Sequence, residues 1–221
     1  GLAIEKMETE WKKFPILHLD LNAKKYETPA DLIAMLNQTL EKWEIVYGNE
    51  KKDRSPEERF AYVIERAYEQ AGCGVVVLVD EYDKPLLQAL DNDALLEDYR
   101  KTLKAFYGVL KSADRYLRFV FLTGVTKFSQ VSAFGDLNQL NDISLDYSYA
   151  TVCGITRTEL VETFTSEIEE FGRVNKLSAE ETVDKMARQY DGYHFHPKGD
   201  GVFNPFSVLN AFSKRELGDY W

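Results

Sequence analysis

The sequence is poor in cysteine and contains no long apolar run. Only two of its 221 residues are cysteines. Cys73 and Cys153 lie far apart in apolar surroundings, and we expect two reduced core thiols in a cytosolic protein rather than a disulfide. No run approaches the roughly 18 apolar residues of a membrane span, and no signal peptide precedes the first helical pattern. The sequence therefore predicts a cytoplasmic protein without a membrane partner.

Positive charge is in the minority. The chain has 27 Lys and Arg residues against 37 Asp and Glu residues, which gives a net charge of -10. This balance argues against binding nucleic acid by bulk electrostatics, although it leaves room for a local basic patch. Apolar residues make up 44% of the chain, enough for the core of one large domain or of one domain with a small appendage. The chain starts with Gly1 rather than Met and stops at Trp221, and neither end resembles a natural terminus, so we expect a fragment of a longer protein.

Strand and helix patterns alternate along the chain. Apolar runs predict strands at residues 14–22, 74–80, 118–124 and 150–156. The continuous β-branched run at 74–80 is typical of a central parallel strand, and the run at 118–124 is of the same buried kind. Periodicity and caps predict helices at residues 2–13, 29–47, 56–70, 93–112, 156–174, 178–190 and 205–214, with a small hairpin between the last two. Strands separated by helices indicate an α/β fold with a parallel sheet covered on both sides. We predict an α/β core over residues 1–155 and a helical, lid-like subdomain with the hairpin over residues 156–221.

The apolar strand at 74–80 ends in two carboxylates, Asp80 and Glu81. Ligands of open parallel sheets bind beyond the carboxyl ends of the strands. An apolar strand ending in Asp-Glu is the Walker B pattern of one large division of P-loop ATPases. Asp80 would hold Mg²⁺ directly or through its water, and Glu81 would orient and polarise the water that attacks the γ-phosphate. The alternative is structural, because strands often end in Asp where the chain leaves the core.

Two neighbouring strand ends favour the nucleotide interpretation. The strand at 118–124 ends in Leu-Thr-Gly, and a polar residue at that place is where such ATPases put a sensor of the γ-phosphate. Thr123 is the first candidate for this nucleotide contact and Thr126 the second. Asp20 ends the strand at 14–22 on the same edge of the predicted sheet.

Several ordered motifs resemble one family over nearly the whole chain. They are "VVVLVDEYDKPLL", "LKAFYGVLKSAD", "FLTGVTKFS", "LNDISLD", "CGIT" and "YDGYHF" followed by "FNPFSVLNAF". Together they resemble the predicted AAA-ATPase-like proteins abundant in gut Bacteroidetes and other anaerobes. The resemblance implies a P-loop ATPase core with a C-terminal helical region, often followed by a PD-(D/E)XK nuclease-like domain. It implies Walker B roles for Asp80 and Glu81, a sensor-strand position for Thr123, and ATP and Mg²⁺ as cofactors of the intact protein.

The sequence contains no phosphate-binding loop of the form G-x-x-x-x-G-K-[ST]. Without it there is no backbone cradle for phosphates and no lysine for the β and γ positions. We therefore predict a three-layer P-loop NTPase-like sheet that lacks its first strand and phosphate loop, and a chain that is inactive by itself. Loss of that strand should leave an unpaired edge on the strand at 118–124. Because exposed edges recruit partners, we expect another segment or a second copy to cover it.

Two other functions compete with the ATPase interpretation. One is a metal-dependent nuclease or phosphohydrolase that uses Asp20 and Asp80 with Glu81, although the D/E-x-K signature is absent because Tyr82 lies two positions before Lys84. The other is a non-catalytic scaffold that binds another protein.

The motif at residues 190–195, "YDGYHF", carries a histidine between aromatic residues. A tight turn anchored by aromatic packing is the favoured interpretation. A metal site of Asp191, His194 and His196 is the alternative, but its spacing matches no standard zinc site.

Overall fold

The computed structural model describes residues 3–125 and 140–220. The chain divides into two compact units, Gly1–Asn141 and Asp142–Trp221. This division falls earlier than the boundary drawn after residue 155 from the sequence, and it groups residues 142–155 with the second unit.

The first unit contains a three-stranded parallel sheet in the order β1-β2-β3. Its strands are β1 (Ile16–Asp20), β2 (Val75–Asp80) and β3 (Leu117–Leu122). β2 pairs with both neighbours in parallel register, and Val75, Val77 and Val79 are buried. The predicted mixed α/β fold with a parallel sheet is confirmed, while the three-layer arrangement and the missing strand stay predictions.

The three long helices of the first unit begin where the sequence predicts them, and one short helix, Lys84–Gln88, was not predicted. Thr28 and Asp31 form a capping box at the start of α1 (Pro29–Tyr47), and Ser55 and Glu58 form one at the start of α2 (Pro56–Ala71). Each box satisfies backbone N–H groups that the first helical turn leaves without partners. Asn92 caps the last long helix by accepting from the Leu95 N–H at 3.1 Å. The helices are α1 (Pro29–Tyr47), α2 (Pro56–Ala71), α3 (Lys84–Gln88) and α4 (Asp93–Ser112), and the 3-10 helices are Ala3–Lys6, Leu21–Ala23 and Asp114–Tyr116.

Aromatic packing joins α1, α2 and α4. The ring of Phe60 on α2 stacks on Phe106 of α4 with centroids 4.5 Å apart, and Trp43 of α1 lies 5.6 Å from Phe60. Beside this contact, the buried Arg59 of α2 donates two hydrogen bonds of 2.7 Å to the carboxylate of Glu44 on α1. A paired and fully bonded charge of this kind is the form in which buried charges are tolerated.

The second unit has its own core. Its elements are α5 (Arg157–Thr163), α6 (Thr165–Asn175), α7 (Ala179–Tyr190), β4 (Asp191–Tyr193), β5 (Val202–Phe203), α8 (Pro205–Lys214) and the 3-10 helix Tyr147–Tyr149. β4 and β5 pair antiparallel, which confirms the predicted hairpin. The helices and the hairpin bury one apolar cluster, which includes Leu160, Phe171, Met186, Phe203 and Val208.

Four local predictions are wrong. In the described part of the predicted helix at 2–13, only Ala3–Lys6 is helical, and the apolar side chains of Met7 and Trp11 are exposed rather than packed on one face. Residues 150–156 form turns with one isolated bridge from Ile155 to Phe203, because only that residue meets a strand. The predicted helix over 156–174 breaks at Phe164, whose ring packs on Phe212. Strand β3 is not buried like β2, since Phe119 is 53% exposed.

The structure also bears on the predictions made for the two cysteines and for a membrane span. Cys73 and Cys153 are free thiols, as expected, but the first is half-buried and the second exposed, so neither is a core residue. Among the described residues, every helix is too short or too polar to cross a membrane.

Candidate functional site at the carboxyl ends of the strands

Asp80 and Asp20 end adjacent strands at the same edge of the sheet. The register of β1 and β2 pairs Asp20 directly with Asp80, as expected when parallel strands end together. Asp80 is exposed at the end of an otherwise buried strand. The strand therefore holds the backbone of Asp80 rigidly while its carboxylate faces solvent.

Thr123 lies beside Asp80 because the pairing of β2 with β3 continues past the end of both strands. The Thr123 N–H donates to the Val79 carbonyl at 2.9 Å, and the Thr123 carbonyl accepts from the Tyr82 N–H at 2.9 Å. These bonds bring the Thr123 hydroxyl to the Asp80 carboxylate, where it donates to Oδ1 at 2.5 Å. A hydrogen bond from a hydroxyl to a carboxylate is shorter and stronger than a neutral one, so Thr123 orients Asp80.

The two carboxylate oxygens of Asp80 differ. Oδ1 accepts from the Thr123 hydroxyl and from the Glu81 N–H at 3.1 Å. Oδ2 accepts no hydrogen bond from any described residue, which leaves it open toward solvent. A carboxylate oxygen is a preferred ligand of Mg²⁺, which in proteins is bound through one or two carboxylates, several waters and substrate phosphates. One oriented carboxylate with one open oxygen fits that ion.

Glu81 has an unusual backbone conformation. Its φ is +55°, in the left-handed region, where a side chain costs about 1–2 kcal/mol. The Lys84 N–H donates to the Glu81 carbonyl at 2.9 Å and closes the turn that leads into α3. The Glu81 carboxylate has no hydrogen bond or ion pair with the described residues, so it is available to a ligand. Backbone strain of this kind clusters at functional sites.

Three buried tyrosines lie behind this edge. The Tyr107 hydroxyl donates to the Tyr82 carbonyl at 3.3 Å, and the Tyr26 hydroxyl donates to the Leu21 carbonyl at 2.7 Å. Burial raises the pKa of Tyr107 well above its ordinary value. Burial, and then the charge of Asp20, raises the pKa of Tyr26. Both phenols therefore stay neutral donors that fix the backbone beneath the site.

Two other candidate residues are Thr126 and Asp20. Thr126 lies outside the described residues. Asp20 Oδ1 accepts from the Asn22 N–H at 2.8 Å and caps the short helix Leu21–Ala23, which gives this carboxylate a local structural role. Among the residues of the described ranges, no group of three or more His, Cys, Asp and Glu side chains is arranged to hold a metal. The arrangement therefore gives no support to a metal centre made of Asp20, Asp80 and Glu81.

The motif at 190–195 begins at the last residue of α7 and continues through strand β4. The Tyr190 hydroxyl donates to the Gly218 carbonyl at 3.1 Å and accepts from the Gly218 N–H at 3.0 Å. The rings of Tyr193 and Phe195 stack with centroids 6.3 Å apart. The ring contacts agree with the expected aromatic packing, but residues 191–193 form strand β4 rather than a tight turn. Among the residues that the structure describes, Asp191, His194 and His196 form no group that could hold a metal.

Sequence reasoning missed two residues that shape the site, Asp83 and Gly124. Asp83 has no exposed surface. A β-carbon on Gly124 would lie 2.5 Å from Asp83 Oδ1 and 2.6 Å from Tyr82 Cε1. The available signal was the glycine directly after Thr123, since glycine at a strand end marks a close backbone approach.

Comparison with known proteins gives two matches. The family model described as "Predicted AAA-ATPase" matches residues 1–134. The "Uncharacterized protein in vnfD 5'region" of Azotobacter chroococcum mcd 1 is 35% identical over 213 residues, which cover 96% of this chain. The chain spans 39% of the length of that relative. No solved structure matches. On this evidence the chain belongs to the predicted AAA-ATPase family.

Proposed function

We propose that this chain supplies the magnesium and water half of an ATP-hydrolysing site in the intact protein. The observation that carries the proposal is the hydrogen bond from the Thr123 hydroxyl to Asp80 Oδ1. It joins the ends of two neighbouring strands and leaves Asp80 Oδ2 and the Glu81 carboxylate without partners among the described residues. Family membership supports the same function at the level of the family.

Asp80, Glu81 and Thr123 would have different roles in this half-site. Asp80 would hold Mg²⁺ through Oδ2, directly or through a water, and the bound ion would neutralise charge on the phosphates. Glu81 would accept a hydrogen bond from the attacking water and orient it. Thr123 holds Asp80 in place and presents a hydroxyl where the γ-phosphate would be sensed. The pairing of the buried strand β2 with β3 fixes all three at one edge of the sheet, which is the preorganisation that phosphoryl transfer requires.

The phosphate half of the site has to come from outside these 221 residues, because they contain no G-x-x-x-x-G-K-[ST] loop. We therefore expect the chain alone to bind Mg-ATP weakly. Calorimetric titration of the chain with Mg-ATP measures this, and a dissociation constant in the micromolar range would contradict it.

The edge of β3 is the place where a missing segment would attach. Within the described residues β3 pairs with β2 only, and Phe119 is 53% exposed. Unpaired edge strands offer a row of backbone donors and acceptors to another strand. We infer that another segment of the intact protein, or a second copy of the chain, covers this edge.

Replacement of Glu81 by Gln in the intact protein tests the function. Gln keeps the shape of Glu81 but cannot act as a carboxylate toward water, so kcat for ATP should fall at least about 100-fold with ATP binding retained. Glu41→Gln is the matched control, since Glu41 is exposed on α1, and it should leave kcat unchanged. Turnover that survives in Glu81→Gln would favour the scaffold function instead.

A further inference from the structure

Asp83 is a buried carboxylate next to the proposed site. Its side chain has no exposed surface, and a carboxylate taken out of water is costly unless it is hydrogen-bonded. The Val125 N–H donates to Asp83 Oδ1 at 3.3 Å. This bond joins the turn after β2 to the loop after β3.

Asp83 directly precedes helix α3, but its side chain does not cap that helix. Asp83 is the N-cap residue of α3, and its carbonyl accepts from the Leu87 N–H at 3.0 Å. An aspartate at this position normally turns its carboxylate onto the first N–H groups of the helix. Here the side chain makes no capping bond and instead reaches the loop after β3. Contact with the loop after β3 is thus one task of this carboxylate.

Gly124 lets the loop come close enough for that contact. A β-carbon at residue 124 would lie 2.5 Å from Asp83 Oδ1 and 2.6 Å from the Tyr82 ring, distances that no side chain tolerates without movement. Gly124 lies between Thr123, which is bonded to Asp80, and Val125, which is bonded to Asp83. The two bonds therefore hold the loop on both sides of the glycine.

We propose that Asp83 is a positioning residue of the ATP site, which clamps residues 123–125 against the turn at Glu81 and so keeps the Thr123 hydroxyl on Asp80. The proposal rests on the proposed function of that site. Asp83 is too buried to touch water or phosphate itself. It acts through Val125, Gly124 and Thr123 on the orientation of Asp80, because the Tyr82 N–H to Thr123 carbonyl bond closes the same loop.

The test compares Asp83→Ala, Asp83→Asn and Gly124→Ala in the intact protein. Asp83→Ala removes the acceptor of the Val125 N–H, and we expect kcat for ATP to fall about tenfold or more with KM nearly unchanged. Asp83→Asn keeps an oxygen acceptor and should recover most of that loss. Gly124→Ala leaves Asp83 in place but pushes the loop away, so it should reproduce the defect of Asp83→Ala.

Hydrogen exchange gives a readout that is independent of turnover. The backbone amides of Thr123 and Val125 should exchange about tenfold faster in Asp83→Ala and Gly124→Ala, while the amides of Val77 and Val79 in β2 keep their protection. Glu44→Gln is the matched control, because it alters another buried carboxylate of the same unit. It should lower stability without changing kcat or the exchange of Thr123 and Val125. If Asp83→Ala does not fold, the comparison is made between Asp83→Asn, which should stay near wild type, and Gly124→Ala, which should be impaired.

The outcomes separate this inference from the proposed function. If Glu81→Gln abolishes turnover but Asp83→Ala and Gly124→Ala turn over normally, only the positioning role is wrong. An Asp83→Asn variant as impaired as Asp83→Ala would also overturn it, because the charge rather than the acceptor would then matter. If Glu81→Gln turns over normally, the proposed function is wrong, and unchanged exchange at Thr123 and Val125 would independently overturn the clamp.

Discussion

Strands β2 and β3 look alike in the sequence and differ in the structure. Both are runs of six residues rich in apolar side chains. β2 has a neighbour on each side, and Val77 at its centre is completely buried. β3 pairs only with β2 among the described residues, and Phe119 is 53% exposed.

The difference sets the roles of the two strands in the site. β2 carries Asp80 and leads directly into Glu81, the two residues that we propose to hold an ion and a water. β3 contributes Thr123, which acts on Asp80 through its hydroxyl. A central strand thus supplies the groups proposed for the chemistry, and an edge strand supplies the group that orients them. Substitutions on β2 should therefore lower activity and stability more than matched substitutions on β3.

The largest expected effect is at the end of β2. Asp80→Asn keeps the acceptor for Thr123 but removes the charged oxygen proposed to hold Mg²⁺. In the intact protein kcat/KM for Mg-ATP should fall at least about 100-fold, as measured by phosphate release over a range of Mg²⁺ concentrations. Asp98→Asn, at an exposed position of α4, is the control. A wild-type response to Mg²⁺ in Asp80→Asn would remove Asp80 from the site.

The matched change at the end of β3 should be smaller. Thr123→Val removes the hydroxyl that donates to Asp80 Oδ1 and keeps the shape of the side chain. A hydrogen bond to a charged group contributes about 1.5–3 kcal/mol, so kcat should fall by about tenfold to 100-fold. Thr123→Ser retains the hydroxyl and should stay near wild type in the same assay. If Ser and Val variants are equally impaired, the hydroxyl is not what orients Asp80.

Val77 and Val120 allow the two strands to be compared by one substitution. They are direct partners in the register of β2 and β3, but Val77 is buried and Val120 is only half-buried. Val→Ala should cost about 2 kcal/mol of unfolding free energy at Val77 and about 1 kcal/mol or less at Val120. Urea denaturation of the chain measures both. Equal losses would show that β3 is as well packed as β2.

The smallest expected effect tests the strain at Glu81. Glycine adopts a positive φ without steric cost, so Glu81→Gly should leave the unfolding free energy unchanged or raise it by up to about 1 kcal/mol. The same substitution at Glu41, inside α1, should lower it by about 1 kcal/mol. A clear loss of stability in Glu81→Gly would show that its side chain, despite the strained backbone, stabilises the fold.

The sequence predicts those parts of the fold that local chemistry determines. The starts of α1, α2, α7 and α8 follow from Ser, Thr or Asn caps and from proline in the first turn, and these signals lie within a few residues of each other. The exposure of β3 depends on which strands neighbour it, and an apolar run does not encode strand order. The break at Phe164 likewise depends on its packing against Phe212, which lies far along the chain.

The candidate site, like the fold, is predicted only in part from the sequence. The motif at the end of β2 predicts Asp80 and Glu81, and the strand-end rule predicts Thr123 at the same edge. The burial of Asp83 depends on the close approach of Gly124 and on the bond from the Val125 N–H, both in the loop after β3. Val125 lies 42 residues from Asp83 in the sequence, so no short pattern contains both partners.

The fate of bound ATP in the intact Glu81→Gln protein tests the central claim most directly. Radiolabelled ATP is mixed with excess enzyme and Mg²⁺, and the bound nucleotide is identified after quenching in acid. If Glu81 orients the attacking water, the variant should hold ATP while the wild-type protein and the Glu41→Gln control convert it to ADP. Conversion of bound ATP to ADP by Glu81→Gln at the wild-type rate would contradict the assignment of this site.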